Sequence, residues 1–410
     1  MFQAPRGTQD ILPDDLAHWT FVERTARRFA ALFGYSEIRT PTFEDTGLFH
    51  HGAGEMTDVV EKEMYSFQDK GGEDITLRAE GTAPIAQPIR LFSLISVFRY
   101  DRPQAGRLRE HHQFDCEAFG EEDAALDAET ITLLWRFYEA LGLSGLSIQL
   151  NSIGDLECRP AYIARLRAHY AGREADLCGD CRRRLEKNPL RLLDCKVPTC
   201  QPIADAAPSF VDSLCHPCAE HFAQVRAALD AENIPVMLNR RLVRGFDYYT
   251  RTVFEVWPQH IGAQSSIGGG GRYDGLAEQI GGRHTPGVGF GTGIERLILN
   301  LKRQGVEVPP ADRPIAYVAH MSEAARSAAQ LFASMLRASG IPTVLGVGNR
   351  PVRARLRNAD SIGVRWTALF GDDELRDGSV SLRDMSTTAP ETVPVAVAVD
   401  RIAATAGKSA

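Results

Sequence analysis

No stretch of the sequence approaches the ~18 to 20 consecutive apolar residues of a membrane span. The opening Met1-Phe2-Gln3-Ala4-Pro5-Arg6-Gly7 has no apolar core of the kind that marks a signal peptide. A cytoplasmic protein with no membrane partner is expected. Positive charge is not in excess either, since 46 Lys and Arg against 53 Asp and Glu give a net charge of -7. That balance argues against a protein that coats nucleic acid by bulk charge, while leaving room for a local basic face. There is no GxxxxGK[ST] loop, and Gly268-Gly269-Gly270-Gly271 does not open a helix in the dinucleotide-fold manner. If nucleotide binds, it does so on another architecture.

At 410 residues with 44% apolar content, the chain exceeds what one core usually serves, so two or three domains are expected. Six of the eight cysteines form three close pairs, Cys178/Cys181, Cys195/Cys200 and Cys215/Cys218, with Cys116 and Cys158 apart. In a cytoplasmic chain, CxxC pairs point to metal rather than disulfides. Two such pairs can close a tetrahedral zinc site, but six thiols compete for four places, and reduced free thiols are the alternative. Basic clusters occur at Arg182 to Arg184 with Lys187 and Arg191, and at Arg350, Arg353, Arg355 and Arg357. Each reads equally as a binding face or a solvated helix face.

Apolar spacing at Trp19, Val22, Ala26, Phe29 and Phe33 predicts a first helix, capped by Asp14 or Asp15 and ended by Gly34. A strand through Ile38 into Thr40-Pro41 belongs at a sheet margin or subunit contact, because proline cannot donate to a ladder. Ser93 to Tyr100 and His111 to Phe119 predict a hairpin with a long basic loop. Alternation puts His111, Gln113, Asp115 and Glu117 on one face of its second strand, either a cavity wall or a solvent-exposed face. The block from about 152 to 222 breaks the strand pattern with short helices and reads as an insertion. Strands are expected at 250–257, 264–267 and 288–293, with a short helix through Tyr273 and Leu276. Alternate glycines at 289, 291 and 293 strip one strand face, where a flat group such as a purine fits. Arg296 begins the next helix, a good place for phosphate. After a proline-rich linker at 304–314, strands at 315–319, 343–347 and 366–370 alternate with helices at 322–339 and 351–358, a small βαβ domain.

The segment Leu242 to Glu255 sets charges and paired tyrosines before a strand. Arg244 and Asp247 lie among aromatic and β-branched neighbours, so each is expected to pair with the other or with a charged ligand.

Taken together, these motifs resemble those of the histidyl-tRNA synthetases, a family of class II aminoacyl-tRNA synthetases. Arg244-Gly245-Phe246-Asp247-Tyr248-Tyr249-Thr250 and Gly268 to Tyr273 resemble the two histidine-specific motifs. Phe98 to Arg107, with His112-Gln113 and Cys116-Glu117, resembles motif 2, and Gly289 to Leu297 resembles motif 3. Arg6 to Asp10 and Leu77 to Thr82 add two further signatures, and Tyr35 to Pro41 stands in the place of motif 1. The resemblance implies an α+β catalytic domain over 1–303, built on an antiparallel sheet with a helical insertion subdomain at about 152–222. It also implies a C-terminal α/β anticodon-binding domain over 315–410, a homodimer, and the substrates L-histidine, ATP with Mg²⁺, and tRNA(His).

By the same resemblance, Arg99 and Arg244 meet the α-phosphate, and Arg296 holds the ATP tail. Glu80, Thr82 and Gln113 hold the amino-acid end of histidine, Glu117 and Tyr249 contact its imidazole, and Tyr248 lines the pocket. Gln104, Arg107 and Arg109 meet the tRNA acceptor stem, and the arginine helix serves the anticodon side. Ala79 stands where the family usually has proline and Gln87 where it commonly has arginine. Leu108, His111, Asp115 and Thr292 are further departures. Two other readings use the same residues: a non-catalytic, histidine-binding regulatory subunit of histidine biosynthesis, and a generic ATP-dependent ligase of small acids. The Arg244 to Tyr249 signature and the C-terminal domain weigh against the first, and the separate C-terminal α/β domain with its arginine helix weighs against the second.

Overall fold

The computed structural model describes residues 2–54, 57–82, 90–103, 107–258, 266–310, 313–348, 350–387 and 389–406. They form two compact units, 1–309 and 310–410.

In the first unit, helix α1 (Leu16–Leu32) buries Trp19, Val22, Ala26 and Ala30, while Phe29 and Phe33 pack at the margin. Asp15 occupies the cap position without a side-chain capping bond, and the chain turns at Gly34 with φ +79°. Eight strands follow in one sheet: β1 (Ser36–Glu37), β2 (Arg90–Phe98), β3 (Glu110–Phe119), β4 (Leu146–Ser152), β5 (Val236–Leu238), β6 (Thr250–Pro258), β7 (Gly268–Arg272) and β8 (Gly287–Gly293). Their order is β1-β2-β3-β8-β7-β6-β4-β5, antiparallel except for the outer pairs β1/β2 and β4/β5. Helix α2 (Ala124–Ala140) covers one face with Ile131, Leu134, Phe137 and Tyr138. The opposite face is free to carry a site.

Three expectations need correction. The margin strand is only two residues long, and Thr40 and Pro41 lie beyond it, where their carbonyls accept Nη1 of buried Arg78 at 2.8 and 3.1 Å. The glycine run, where the residue pattern predicts no strand, forms β7, fully buried between β6 and β8. Its composition hid it, because glycine has poor strand propensity, yet only glycine fits: a Cβ at Gly270 would lie 1.8 Å from the Gly289 carbonyl oxygen. Of the strand expected at 264–267, residues 264 and 265 lie outside the described residues, and β7 starts only at Gly268.

The cysteine-rich block contains helices α3 (Arg159–Tyr170) and α4 (Gly179–Lys187), short helical turns, and α5 (His216–Ala231). Its core residues Tyr162, Leu166 and Phe210 belong to the same buried cluster as Tyr248, Tyr249 and Tyr273. The insertion therefore packs directly behind the segment that opens β6.

The second unit holds β9 (Ala316–His320), β10 (Thr343–Gly346), β11 (Trp366–Phe370), β12 (Ser379–Asp384) and β13 (Glu391–Pro394), in the order β10-β9-β11-β12-β13. The first three are parallel, joined by α6 (Arg326–Ala338) and α7 (Val352–Ile362), as the βαβ pattern predicted. Residues 322–325 precede the first of these helices rather than beginning it. An α+β sheet domain and an α/β domain are thus both present.

Candidate active site

The register of the large sheet builds the site. Strand β8 lies between β3 and β7 with Gly289 opposite Glu117, Gly291 opposite Asp115 and Gly293 opposite Gln113. On the other side, Gly291 faces Gly269, which faces Glu255 of β6. Because strands sit roughly 4.8 Å apart, this gives a side-chain-free floor about 14 Å across, walled by acids from β3 and by β6. The glycines serve the carboxyl groups directly: a Cβ at Gly289 would lie 1.9 Å from Glu117 Oε2, and one at Gly291 2.6 Å from Asp115 Oδ1. The bare face expected for a flat ligand is thus partly occupied by carboxylates. At Gly293, beside Arg296, a Cβ would meet nothing within 4 Å.

A cavity of about 110 Å³ lies over this floor. It brings together eight predicted residues: Glu80, Thr82, Gln113, Glu117, Arg99, Arg244, Tyr248 and Tyr249. At its acid end, Glu117 accepts from Thr82 Oγ1 at 2.6 Å and from the Tyr273 hydroxyl. Glu80 accepts from the Thr82 amide at 2.8 Å. Burial raises the pKa of Glu117 well above the carboxylate range, despite the hydrogen bonds from Thr82 and Tyr273. Burial and the nearby Glu80 raise Asp115 to about 8, against Arg99 and Arg78. This wall is short of positive charge. A ligand with an ammonium or a protonated ring satisfies it.

The opposite end is cationic. Arg99 donates through Nε to the Ala79 carbonyl at 2.8 Å and lies over the Phe246 ring at 5.7 Å. Since the anchor at position 79 is a backbone carbonyl, the departure from proline there leaves it intact. Arg244 pairs with Glu255, which also accepts from Trp257 Nε1 at 2.8 Å. Burial opposes the Arg244 charge, but Tyr249 and Glu255 outweigh it and raise its pKa. Arg244 and Asp247 therefore do not pair with each other; Asp247 accepts from Asn188 of the insertion at 2.6 Å. Arg296 donates to the Ser266 carbonyl at 2.7 Å. Burial and the fields of Arg99, Arg296 and Arg107 push His111 down to about 3, so it stays neutral beside that cation cluster. Such a cluster suits a polyphosphate.

Arg107 and Arg109 lie apart from the cavity lining. Arg107 pairs with Asp101, and Arg109 covers the Tyr100 ring at 3.8 Å. Arg109 also packs on Gly7, where a Cβ would come within 2.7 Å of its Cγ. Gln104 and Gln87 lie outside the described residues. Thr292 is explained by its hydroxyl, which accepts from Tyr138 and donates to the Ile267 carbonyl, both at 2.8 Å. In the second unit Arg355 is 1% exposed and donates to the carbonyls of Gly346, Gly348 and Arg350. It is a structural residue, which removes it from the expected basic face and leaves Arg350, Arg353 and Arg357 exposed.

The residue reading missed Tyr273, Phe246 and Glu255. Phe246 stacks on Tyr248 at 5.2 Å and 12°. Glu255 was findable, because strand alternation from Arg251 through Val253 puts it on the floor side. A second cleft of about 240 Å³, lined by Asp10, Glu110, Glu295 and His112 among others, is too acidic for a phosphate.

Comparison with known proteins agrees with this arrangement. The family model described as histidyl-tRNA synthetase matches residues 7–158 and 185–297, and an anticodon binding domain matches 315–405. The chain is 52% identical over 407 residues to a histidine–tRNA ligase of Dehalococcoides mccartyi, covering 96% of this chain and 97% of that one. It is 47% identical over 408 residues to the histidine–tRNA ligase of Moorella thermoacetica, covering 97% and 96%. The crystal structure of apo S. aureus histidyl-tRNA synthetase superposes with a TM-score of 0.82 at 34% identity, covering 98% of this chain and all of that one. With a carboxyl wall and a cation cluster set across one glycine floor, and with relatives of this similarity over nearly its full length, the chain belongs to the histidyl-tRNA synthetase family.

Proposed function

We propose that the protein is a histidine–tRNA ligase that activates L-histidine with ATP and transfers it to the 3′ end of tRNA(His). The observation that carries the reading is the single cavity joining the acid wall of Glu117, Asp115 and Glu80 to Arg99 and Arg244. In the first step a histidine carboxylate oxygen attacks the α-phosphorus, the bond to the β-phosphate oxygen breaks, and diphosphate leaves with that electron pair. Two anions meet in this step, so Arg99 and Arg244 lower the barrier electrostatically. Arg296 holds the ATP tail, and Mg²⁺ arrives with ATP as part of the substrate. In the second step a 3′-terminal hydroxyl of tRNA attacks the acyl carbon, and AMP leaves.

Glu80, Thr82 and Gln113 hold the amino-acid end, while Glu117 and Tyr249 address the imidazole and Tyr248 closes the pocket. Tyr273 fixes Glu117 by its hydroxyl bond. A pocket that satisfies two ring nitrogens leaves polar groups unpaired with other amino acids, a penalty of roughly 10⁴-fold without editing. Arg107 and Arg109, with Gln104, serve the acceptor stem. Arg350, Arg353 and Arg357 serve the anticodon side of the domain at 315–410. The protein works in the cytoplasm as a homodimer, which the short exposed edge strand β1 supports as a place for contact.

Aminoacylation of tRNA with a panel of amino acids, under ATP and Mg²⁺, tests this. Histidine alone is expected to be transferred. Histidine binding without ATP–pyrophosphate exchange would favour the regulatory reading instead.

A further inference from the structure

Seven of the eight cysteines are drawn into two separate clusters behind the pocket, neither of them used by the chemistry above. The first joins Cys178, Cys181, Cys195 and Cys200, whose sulfurs all lie within 4.8 Å of one another. Cys178 caps α4, and its sulfur accepts from the Cys181 amide at 3.4 Å. The Cys178 amide in turn donates to Cys200 Sγ at 3.2 Å, and Cys178 Sγ lies 3.9 Å from Cys195 Sγ. That separation is far beyond the ~2.05 Å of a disulfide. It matches the roughly 3.8 Å between two thiolates on one tetrahedral zinc with bonds of about 2.3 Å.

The second cluster joins Cys158, Cys215 and Cys218 with Asp155, again within 4.8 Å. Asp155 Oδ1 lies 3.5 Å from Cys158 Sγ, and Oδ2 lies 3.0 Å from Cys218 Sγ. Cys215 stands at the cap of α5 as Cys178 does at the cap of α4, so each CxxC pair is a knuckle at a helix N-terminus, where thiolates are favoured. The turn beneath is built to close. Gly154 has φ +59°, and a Cβ there would lie 2.4 Å from Cys158 Sγ and 2.5 Å from the Phe210 ring.

We propose that the protein binds two zinc ions, one held by Cys178, Cys181, Cys195 and Cys200 and the other by Asp155, Cys158, Cys215 and Cys218. The two CxxC pairs do not share an ion, and the lone Cys158 and an aspartate complete the second site. Four thiolates suit zinc or an iron–sulfur centre, whereas three thiolates and a carboxylate suit zinc. Both sites brace the pocket. Arg159, next to Cys158, donates to the Tyr249 carbonyl at 2.6 Å. Beyond α4, Asn188 holds Asp247 at 2.6 Å and Arg191 holds the Gly245 carbonyl at 3.1 Å. The ions thus position residues 245–249 without touching substrate. This role rests on the pocket assignment, but ion binding itself does not.

The test is metal content of the full-length protein, purified under reducing conditions without chelator. Two zinc per chain are expected, Cys181→Ser and Cys218→Ser each removing one and the double variant both. Cobalt added to stripped protein is expected to give the intense sulfur-to-metal absorption of tetrahedral thiolate sites. Asp155→Ala, which leaves every thiol in place, should weaken one site at least tenfold in a chelator competition while the other is unchanged. Stripping both ions should lower Tm by more than about 5 °C. Less than a fifth of an equivalent of zinc with no cobalt absorption, iron in place of zinc, or a total of only one zinc per chain that either serine variant alone abolishes overturns the proposal.

Discussion

Arg244 and Arg355 are both arginines that the sequence offers as ligand contacts, one in the mixed-charge segment before β6 and one in the basic cluster of α7, yet they end in opposite circumstances. Arg244 meets a carboxylate, Glu255, and remains at the edge of a cavity with Arg99 nearby in the lining. Arg355 is spent on three backbone carbonyls at the end of β10 and has no surface to offer. An arginine whose three nitrogens each donate to main chain, away from the surface, holds a loop. One paired with a single acid beside a cavity keeps donors for a ligand.

Exchanging each for alanine should break the comparison cleanly. Arg244→Ala is expected to cost roughly 10²- to 10³-fold in histidine-dependent ATP–pyrophosphate exchange, as loss of one transition-state donor does, while calorimetric histidine binding survives. Exchange at the parent rate would end the assignment. Arg355→Ala strands three carbonyls and should destabilise the second unit by about 3 kcal/mol in urea unfolding, with exchange within about twofold of the parent. A normal unfolding midpoint would show that the three bonds carry no stability.

Smaller effects sharpen the contrast. Tyr273→Phe removes one hydrogen bond to Glu117 and should raise the histidine KM about tenfold with kcat little changed; a kcat effect of the same size would move Tyr273 into the chemical step. The smallest effect is in pH. Asp115 is held near 8 when folded, above its ordinary 3.8, so folding favours the protonated acid. Its contribution is complete below about pH 4 and is lost as pH rises through 8. Asp115→Asn does not titrate, so its Tm relative to the parent, both without ligand, should become more favourable between pH 5 and pH 8.5. A flat difference would mean that Asp115 is ionised throughout.

Local pattern carried much of this. Apolar spacing located α1, and alternation in β3 put Gln113, Asp115 and Glu117 on one face, where the cavity lies. The parallel βαβ pattern of the second unit was legible for the same reason: period and turn residues are properties of neighbours along the chain. Strand β7 was not, because four glycines carry no period, and their need to lie close between β6 and β8 appears only when three strands are in register.

Residue order by itself determined the elements, the motifs and the face that would be polar, since these depend on spacing and side-chain chemistry. The tertiary structure decided who meets whom. It set Gly289 and Gly291 against the acids of β3, gave Arg244 to Glu255 and Asp247 to Asn188, withdrew Arg355 from the surface, and divided the cysteines into two groups with Asp155 in one. Each of these is a pairing between residues far apart in the chain. Strand register and the packing of the insertion choose among partners that the sequence leaves equal.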